Sequence, residues 1–355
     1  MFRVNSFILV ACLSVLCLLF AFASCATGGG VVRVPEWTSR GQHPQFPDDY
    51  YKTAVGHGNS RHAAERDALG RLVTTFGASV RVNDRLIESY REVARSGVAT
   101  EWAYEMVFES DIEVIAGMHL MGASIGPSWE DGRGTHFALA VLDRATAVML
   151  YLGRVRANRD IIDNLTNFTN VPVAARNTIE GFSRFHLAAM FADMSFAYEE
   201  ILLVLGVPRG GTPSRRGEYY RRIAQDIAAT IPIGINIRTG NDMAGRIQGA
   251  FAGVLSEFGL RTVRAGEGNP RYMLDVDIIV QPFDEPGSPF VFVRVEVIAN
   301  LINTGTRAVV LPYNFIGEQE GHTDLLGAAD RAFSVAEARI GSEYMGYLLR
   351  LISRR

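Results

Sequence analysis

Cysteine is nearly absent from this sequence. The chain of 355 residues has three, Cys12, Cys17 and Cys25, and all of them lie at its amino terminus. Residues 26–355 therefore contain no thiol that could form a disulfide, act as a nucleophile or bind a metal ion. Sulfur-rich metal sites are excluded for this part of the chain, and we expect it to need no cofactor.

The sequence also lacks an excess of charge of either sign. It has 35 Lys and Arg against 38 Asp and Glu, a net charge of −3, and the basic residues are scattered among the acidic ones. Such a chain has no long-range field that would gather nucleic acid, so nucleic acid is not an expected partner. With 48% hydrophobic and 21% charged residues, the composition is that of a globular protein with room for two domains.

The amino terminus has the three-part layout of a secretory signal. Residues 1–6 include one basic residue, Arg3, residues 7–21 form an apolar run, and small residues follow. The run is short compared with the roughly 20 residues that a helix needs to cross a bilayer core of ~30 Å. We therefore predict that residues 1–24 are an export signal peptide.

The string at residues 22–25, Phe-Ala-Ser-Cys, resembles the lipobox of bacterial lipoproteins. It departs from the family pattern at Phe22, where leucine is usual. The resemblance implies that Cys25 carries lipid such as palmitate and anchors the protein in a membrane. The next residue is Ala26 and not aspartate, which by lipoprotein sorting rules favours the outer membrane, with the protein facing the periplasm.

Residues 25–34 contain three consecutive glycines and predict a flexible tether between the lipid and the folded domain. One alternative stays open. Residues 21–23 also fit the A-x-A pattern of the ordinary signal peptidase, which would release a soluble periplasmic protein.

Residues 35–158 predict an α+β domain. A helix at residues 59–76 has Asn59 or Ser60 as its N-cap and carries apolar residues on one face, and another helix begins near Asp143. Strand-like stretches lie at residues 50–56, 78–82, 104–114 and 135–141.

Residues 159–206 have no strand-like alternation and predict a helical insertion, and residues 207–220 begin with a run of turn-forming residues typical of a linker. Residues 221–355 then repeat the order of strand, helix, strands and helix. In this half, apolar and polar residues alternate at 274–281 and 291–297, which predicts half-buried antiparallel strands. The predicted fold class is α+β, with two modules on antiparallel sheets separated by helices.

Four short motifs follow one another in residues 35–144. They are Pro35-Glu36-Trp37, the string Tyr-Lys-Thr-Ala-Val-Gly-His-Gly at 51–58 leading into an alanine-rich helix, Trp-Glu-Asp-Gly at 129–132, and His-Phe-Ala-Leu-Ala-Val-Leu-Asp-Arg at 136–144. Together they resemble the LPP20 lipoprotein family, for which no enzymatic activity is known and whose related domains occur in outer-membrane and flagellar-ring proteins. Residues 221–355 are similar, in layout only, to small domains of TolB-like envelope proteins.

The turn around residues 56–62 permits two other interpretations. Gly56 and Gly58 precede a helix, as in phosphate-binding loops, but Arg61 stands where a dinucleotide fingerprint needs its third glycine. His57 and His62 could bind a metal, yet no carboxylate stands at a ligand spacing. A sharp turn from strand to helix explains the glycines more simply, and the alanines of the helix let it approach the sheet closely.

Residues 122–126, Gly-Ala-Ser-Ile-Gly, match the G-x-S-x-G nucleophile elbow of serine hydrolases. That chemistry needs Ser124 on a turn from strand to helix, with a histidine base and a carboxylate, for which Asp143 or Asp163 and His186 are available in the right order. Pro127 and further strand-like residues follow instead, so we interpret Ser124 as a structural serine at a sheet edge.

The sequence thus favours an envelope lipoprotein that is not an enzyme and that binds other envelope proteins, or itself, as a scaffold component. A carrier of lipid or of a small ligand is the main alternative, and a serine hydrolase using Ser124 is a weaker one.

Overall fold

The computed structural model of the chain describes residues 34–77, 120–167, 176–208, 215–264 and 266–349. The helices in these ranges are α1 (Trp37–Arg40), α2 (Arg61–Gly77), α3 (Arg144–Thr166), α4 (Ile179–Val204), α5 (Gly217–Ala229), α6 (Arg246–Glu257) and α7 (Leu325–Leu349). The strands are β1 (Tyr51–Gly58), β2 (Ala123–Glu130), β3 (His136–Asp143), β4 (Ile233–Thr239), β5 (Thr262–Arg264), β6 (Tyr272–Asp284), β7 (Val291–Asn303), β8 (Val309–Ile316) and β9 (Glu320–His322).

Several predicted features lie outside the described residues. They are the signal peptide at 1–24 with Cys25, most of the tether, the strand-like stretches at 78–82 and 104–114, and residues 209–214 of the linker.

The first half of the chain forms a small antiparallel sheet in the order β1, β3, β2. Residues 138–142 of the central strand are buried on both faces of the sheet. On one face, alanines of α2 pack against Ala138 and Ala140, and on the other Trp37 packs against Leu139 and Val141. The small sheet is therefore the middle of three layers, with α2 on one side and the segment at 34–50 on the other.

A layer of three helices follows the small sheet. The predicted start of a helix near Asp143 is confirmed, because the Asp143 carboxylate accepts a hydrogen bond of 2.7 Å from the backbone N–H of Thr146 and caps α3. Thr178 caps α4 in the same way through its hydroxyl, at 3.0 Å from Gly181 N. Helix α4 packs on both α3 and α5, which explains why its sequence is apolar nearly all round.

The second half of the chain forms a sheet of six strands. The order is β5, β4, β6, β7, β8, and β9 pairs with β7 beyond the end of β8. The α+β fold class is confirmed, and most neighbouring strands are antiparallel. Strand β4, however, runs parallel to both β5 and β6, because α6 carries the chain back along the sheet between β4 and β5.

Helices α6 and α7 cover one face of this sheet. Phe251 of α6, Tyr313 of β8 and Tyr344 of α7 form an edge-to-face cluster, with ring centroids 4.8 to 6.0 Å apart. Arg246 at the start of α6 binds Asp330 at 2.7 Å and Glu337 at 3.1 Å, both on α7. The two helices are thus held to the sheet and to each other.

The two halves are in contact. Buried apolar side chains form a continuous cluster from α2 through the helical layer to α7. Ser183 of α4 donates to the carbonyl of Leu348 on α7, and Arg271 before β6 donates to the carbonyl of Asn177 before α4. Independent folding of the predicted modules at 35–158 and 221–355 stays a prediction. Within the described ranges, no helix combines the length and the apolar character needed to cross a membrane.

Candidate functional site

The second face of the six-stranded sheet, the one that α6 and α7 do not cover, is an open surface among the described residues. Side chains of a strand alternate between the two faces. In β6 and β7 one set of alternate residues is buried under the helices, while the other set is half-buried or exposed. We call this second side the open face, and its central residues are Asp275, Asp277 and Ile279 of β6, Arg294, Glu296, Ile298 and Asn300 of β7, and Pro312, Asn314 and Ile316 of β8.

Isoleucines form the centre of the open face. Glu296 of β7 pairs with Ile279 on one side and with Ile316 on the other, and Ile298 is the next residue on the same face. The exposed fraction is 36% for Ile279 and 58% for Ile316. Ile279, Ile298 and Ile316 therefore lie around Glu296 and form an apolar region that this single carboxylate interrupts.

Polar side chains surround this patch and hold one another in place. Asn236 donates to Asp275 at 3.1 Å, Thr239 donates to Asp277 at 2.7 Å, and Arg294 donates to Gln281 at 2.8 Å. An apolar centre with a polar rim is the arrangement of a protein-binding surface, where the centre supplies burial and the rim supplies hydrogen bonds.

The edges of the sheet are poorly suited to adding another strand. Edge strand β5 has three residues, and edge strand β8 contains Pro312, which has no N–H to donate. A partner would therefore contact the face of this sheet and not extend it.

Sequence reasoning did not single out the open face. A signal was present, because Ile279 and Ile298 stand where the alternation of β6 and β7 otherwise places polar residues. What the sequence could not supply was the position of α6 and α7, which decides which face of the sheet is covered.

Ser124 lies on edge strand β2, opposite Val141 of β3. The prediction of a strand serine at a sheet edge agrees with this position. The pairing of β2 with β3 shifts between Ile125 and Ser128, so Gly126 and Pro127 belong to an irregularity within the strand. The helix that a nucleophile elbow requires does not follow.

Two of the candidate partners of Ser124, Asp143 and His186, are engaged elsewhere. Asp143 caps α3, and the hydrogen bonds from Thr146 hold the pKa of its carboxyl below the ordinary value. His186 of α4 lies against the ring of Phe258, with centroids 5.0 Å apart. Burial, together with the nearby charge of Arg221, lowers the pKa of His186 to about 4, so this imidazole is neutral at pH 7.

Asp193 and Arg221 form an ion pair that joins α4 to α5. Burial raises the pKa of Asp193 above its ordinary value in spite of the attraction of Arg221 and the hydrogen bond from Gly217 N–H. An added Cβ at Gly217 would lie against this carboxylate. We interpret the pair as a helix-to-helix connection, since its groups bind each other and the backbone.

The turn between β1 and α2 forms a small charged cluster. Asp67 accepts hydrogen bonds from His57 N–H and from Arg71 Nε, both at 2.9 Å. Burial opposes the charge of Asp67, but the bonds from His57 and Arg71 outweigh it and lower the pKa of this carboxyl. Ser60 Oγ accepts from Ala63 N and caps α2, so Ser60 is the cap of the two residues that the sequence allowed.

No group of three or more histidine, aspartate or glutamate side chains in the described part of the chain is arranged to hold a metal ion. His57 and His62, the two histidines considered for a metal, have the carboxylates of Asp67 and Glu65 as neighbours, at 3.5 and 3.9 Å.

Comparison with known proteins gives limited information. No family model matches the chain, and no curated protein matches it. A secreted protein from Helicobacter pylori is similar in structure, with 14% identity, coverage of 82% of this chain and 97% of that one, and a TM-score of 0.39. A Xanthomonas campestris protein of the family DUF330 is 14% identical, with coverage of 34% of this chain and 84% of that one, and a TM-score of 0.26.

A candidate lipoprotein from Caulobacter crescentus is 13% identical, with coverage of 34% of this chain and 88% of that one, and a TM-score of 0.22. Similarities of this size assign neither a family nor a function. The resemblance to the LPP20 family therefore stays a prediction.

Proposed function

We propose that the chain is a bacterial envelope lipoprotein that acts as a non-enzymatic protein-binding or scaffold component. Lipid on Cys25 would anchor it in the outer membrane, with the folded part facing the periplasm. The signal-like residues 1–24 and the lipobox-like string at 22–25 support the anchor, and Ala26 supports the outer membrane.

The observation that carries the binding role is the apolar centre and polar rim of the open face. Ile279, Ile298 and Ile316 would become buried on a partner, while Asp277 and Asn314 at their sides would bind polar groups at the rim. The partner would be another envelope protein or a second copy of the chain. Ser124, on its edge strand, would have a structural role.

The anchor is tested by replacing the lipid acceptor. In Cys25→Ser, labelling with a radioactive fatty acid should be lost, and the protein should move from the membrane fraction to the soluble fraction. A variant that remains in the detergent phase would mean that residues 7–21 stay attached as the anchor, and the lipoprotein proposal would be wrong.

The binding role is tested on the open face with a matched control. Ile316→Glu places a charge in the apolar centre, whereas Leu326→Glu places one on α7, at a residue that is 69% exposed. Both sites are exposed, so neither change should disturb folding. Burial of one isoleucine contributes about 1.5 kcal/mol, so Ile316→Glu should weaken the complex at least about tenfold.

The measurement is chemical cross-linking in isolated membranes followed by sizing of the cross-linked species. The proposal expects a discrete species that persists in Leu326→Glu and disappears in Ile316→Glu. Equal yields of that species in both variants would show that the open face is not the binding surface.

A further inference from the structure

The segment before β1 borders an open cavity that the proposed scaffold role does not use. Its volume is about 630 Å³, and its walls include Glu36, Trp37, His43, Phe46, Pro47 and Asp48. It lies on the outer side of the small sheet, opposite α2 and far along the chain from the open face of the large sheet.

The walls of the cavity are held in place by the fold. Trp37 is 6% exposed and packs on Leu139 and Val141 of the small sheet. The turn α1 ends at Gly41, whose φ of 71° lets its N–H bond to the carbonyl of Trp37. Phe46 N–H donates to His43 O at 2.8 Å and closes the next turn. A cavity that exists before binding spares its ligand the cost of ordering these loops.

Trp37, His43 and Phe46 line the cavity, and their rings contact one another in turn. The ring of His43 is 6.4 Å from that of Trp37 and 5.4 Å from that of Phe46, and Phe46 is 5.2 Å from Tyr51. The faces of such rings carry partial negative charge and attract cations.

Two carboxylates add formal negative charge at the rim. Asp48 accepts a hydrogen bond of 3.0 Å from the neutral amide of Gln42, and Arg144 binds the backbone carbonyl of Asp48 at 3.3 Å. Glu36 is 4.0 Å from Arg40, and both of these side chains are largely exposed, so solvent screens their attraction strongly. The walls therefore carry carboxylates that are only partly neutralised, next to aromatic rings.

We infer that this cavity binds an organic cation, either a guanidinium or a substituted ammonium group. The rings would contact its apolar and delocalised surface, and the carboxylates of Asp48 and Glu36 would pair with its charge. Such a group could come from a small soluble cation or from an arginine or lysine side chain of an extended peptide.

The test uses the chain without residues 1–25, which retains every described residue. Binding of N-acetyl-arginine methylamide is followed by NMR chemical shifts of the Trp37 indole N–H and compared with the citrulline analogue, which has the same shape without the charge. Saturable binding of the arginine compound, at least about fivefold tighter than that of the citrulline compound, is expected for a site that recognises charge.

Three variants test which carboxylates attract the cation. Asp48→Asn and Glu36→Gln should each weaken binding by about three- to fivefold at low salt, and the effect should shrink as salt is added. Asp49→Asn is the matched control, because Asp49 is also exposed and does not line the cavity, and it should change binding less than twofold. Circular dichroism of each variant confirms that folding is retained.

A second arm identifies the source of the cation. A seven-residue peptide with one central arginine that binds more tightly than the single residue indicates a peptide ligand, whereas equal affinities and binding of tetramethylammonium indicate a small cation. Equal binding of the arginine and citrulline compounds, an equal effect of Asp49→Asn and Asp48→Asn, or no saturable binding of any probe would overturn the inference.

Discussion

Replacing Gly56 with alanine should destabilise the small sheet more than most changes at a single residue. Gly56 lies in β1, directly under helix α2. A Cβ at this position would lie 2.6 Å from the Cα of Ala68, and closer still to Ala68 N and Ala64 O. All three are backbone atoms of α2, so no side chain can rotate out of the way.

The expected cost follows from this contact. To reach an ordinary separation, α2 would have to withdraw from the sheet by about 1 Å, which opens gaps around Leu72 and Phe76. Overpacking of this kind costs about 3 kcal/mol when the backbone must move. The lower entropy of the unfolded chain with alanine offsets about 0.5 kcal/mol, so Gly56→Ala should lower the free energy of unfolding by about 2.5 kcal/mol.

The assay is urea unfolding followed by tryptophan fluorescence. Two of the chain's three tryptophans, Trp37 and Trp129, belong to the small sheet and its outer layer, so most of the tryptophan signal reports on this part of the chain. Gly70→Ala is the matched control, because an added Cβ there meets nothing within 4 Å. That change should stabilise α2 by about 0.5–1 kcal/mol. A loss below about 0.5 kcal/mol in Gly56→Ala would refute the close contact between β1 and α2.

Four further predictions concern other parts of the molecule. Asn158→Leu should raise the free energy of unfolding by about 1 kcal/mol, because the buried Nδ2 atom of Asn158 has no hydrogen-bond partner within the described structure. The control is Asn164→Leu, at an exposed position on the same helix, which should change the urea midpoint much less. The pKa of His186 is about 4 in the folded chain, against an ordinary value of 6.5. Between these two pH values the unfolded chain binds more protons than the folded chain, so the free energy of unfolding should fall as the pH is lowered from about 6.5 to 4. His186→Gln should flatten this pH dependence in urea titrations. Ser124→Ala should change stability by less than about 0.5 kcal/mol, and a fluorophosphonate probe that labels the parent but not this variant would contradict the structural role. Residues 215–355 alone should unfold cooperatively in a thermal melt, since α6 and α7 cover one face of the sheet within that fragment. A fragment that aggregates or unfolds without cooperativity would show that its folding depends on α4 and the first half of the chain.

The local pattern of the sequence predicted the elements that depend on neighbouring residues. Alternation at 274–281 and 291–297 indicated β6 and β7, and the structure extends both strands to 13 residues. The start of a helix near Asp143 was also predicted, and the structure shows that the Asp143 carboxylate caps this helix by accepting from a free backbone N–H group. Each of these signals needs only a few consecutive residues.

Features that depend on distant residues could not be predicted in the same way. The alternation of β4 is compatible with parallel or antiparallel neighbours, and only the path of the chain through α6 makes β4 parallel to β5 and β6. Gly56 was interpreted as a turn residue, whereas the structure shows that it is needed for contact with α2. The burial of Trp37 also depends on Leu139, about a hundred positions later in the chain.

The two candidate surfaces also depend on residues that are distant from one another in the sequence. The cavity at residues 36–48 forms because two turns close over the small sheet. The open face is defined by the helices that cover its opposite side. Sequence alone supplied the residue types of both surfaces but not their assembly.

The central claim, that the open face of the large sheet binds a protein partner, is tested most directly by site-specific photo-cross-linking in intact membranes. A photoreactive amino acid replaces Asn314, which lies on the open face beside Ile298, and in a second strain it replaces Leu326 on α7. The account predicts a discrete cross-linked species from position 314 that is lost when Ile316→Glu is added, with none from position 326. Absence of cross-linking at position 314, or equal cross-linking from both positions, would contradict it.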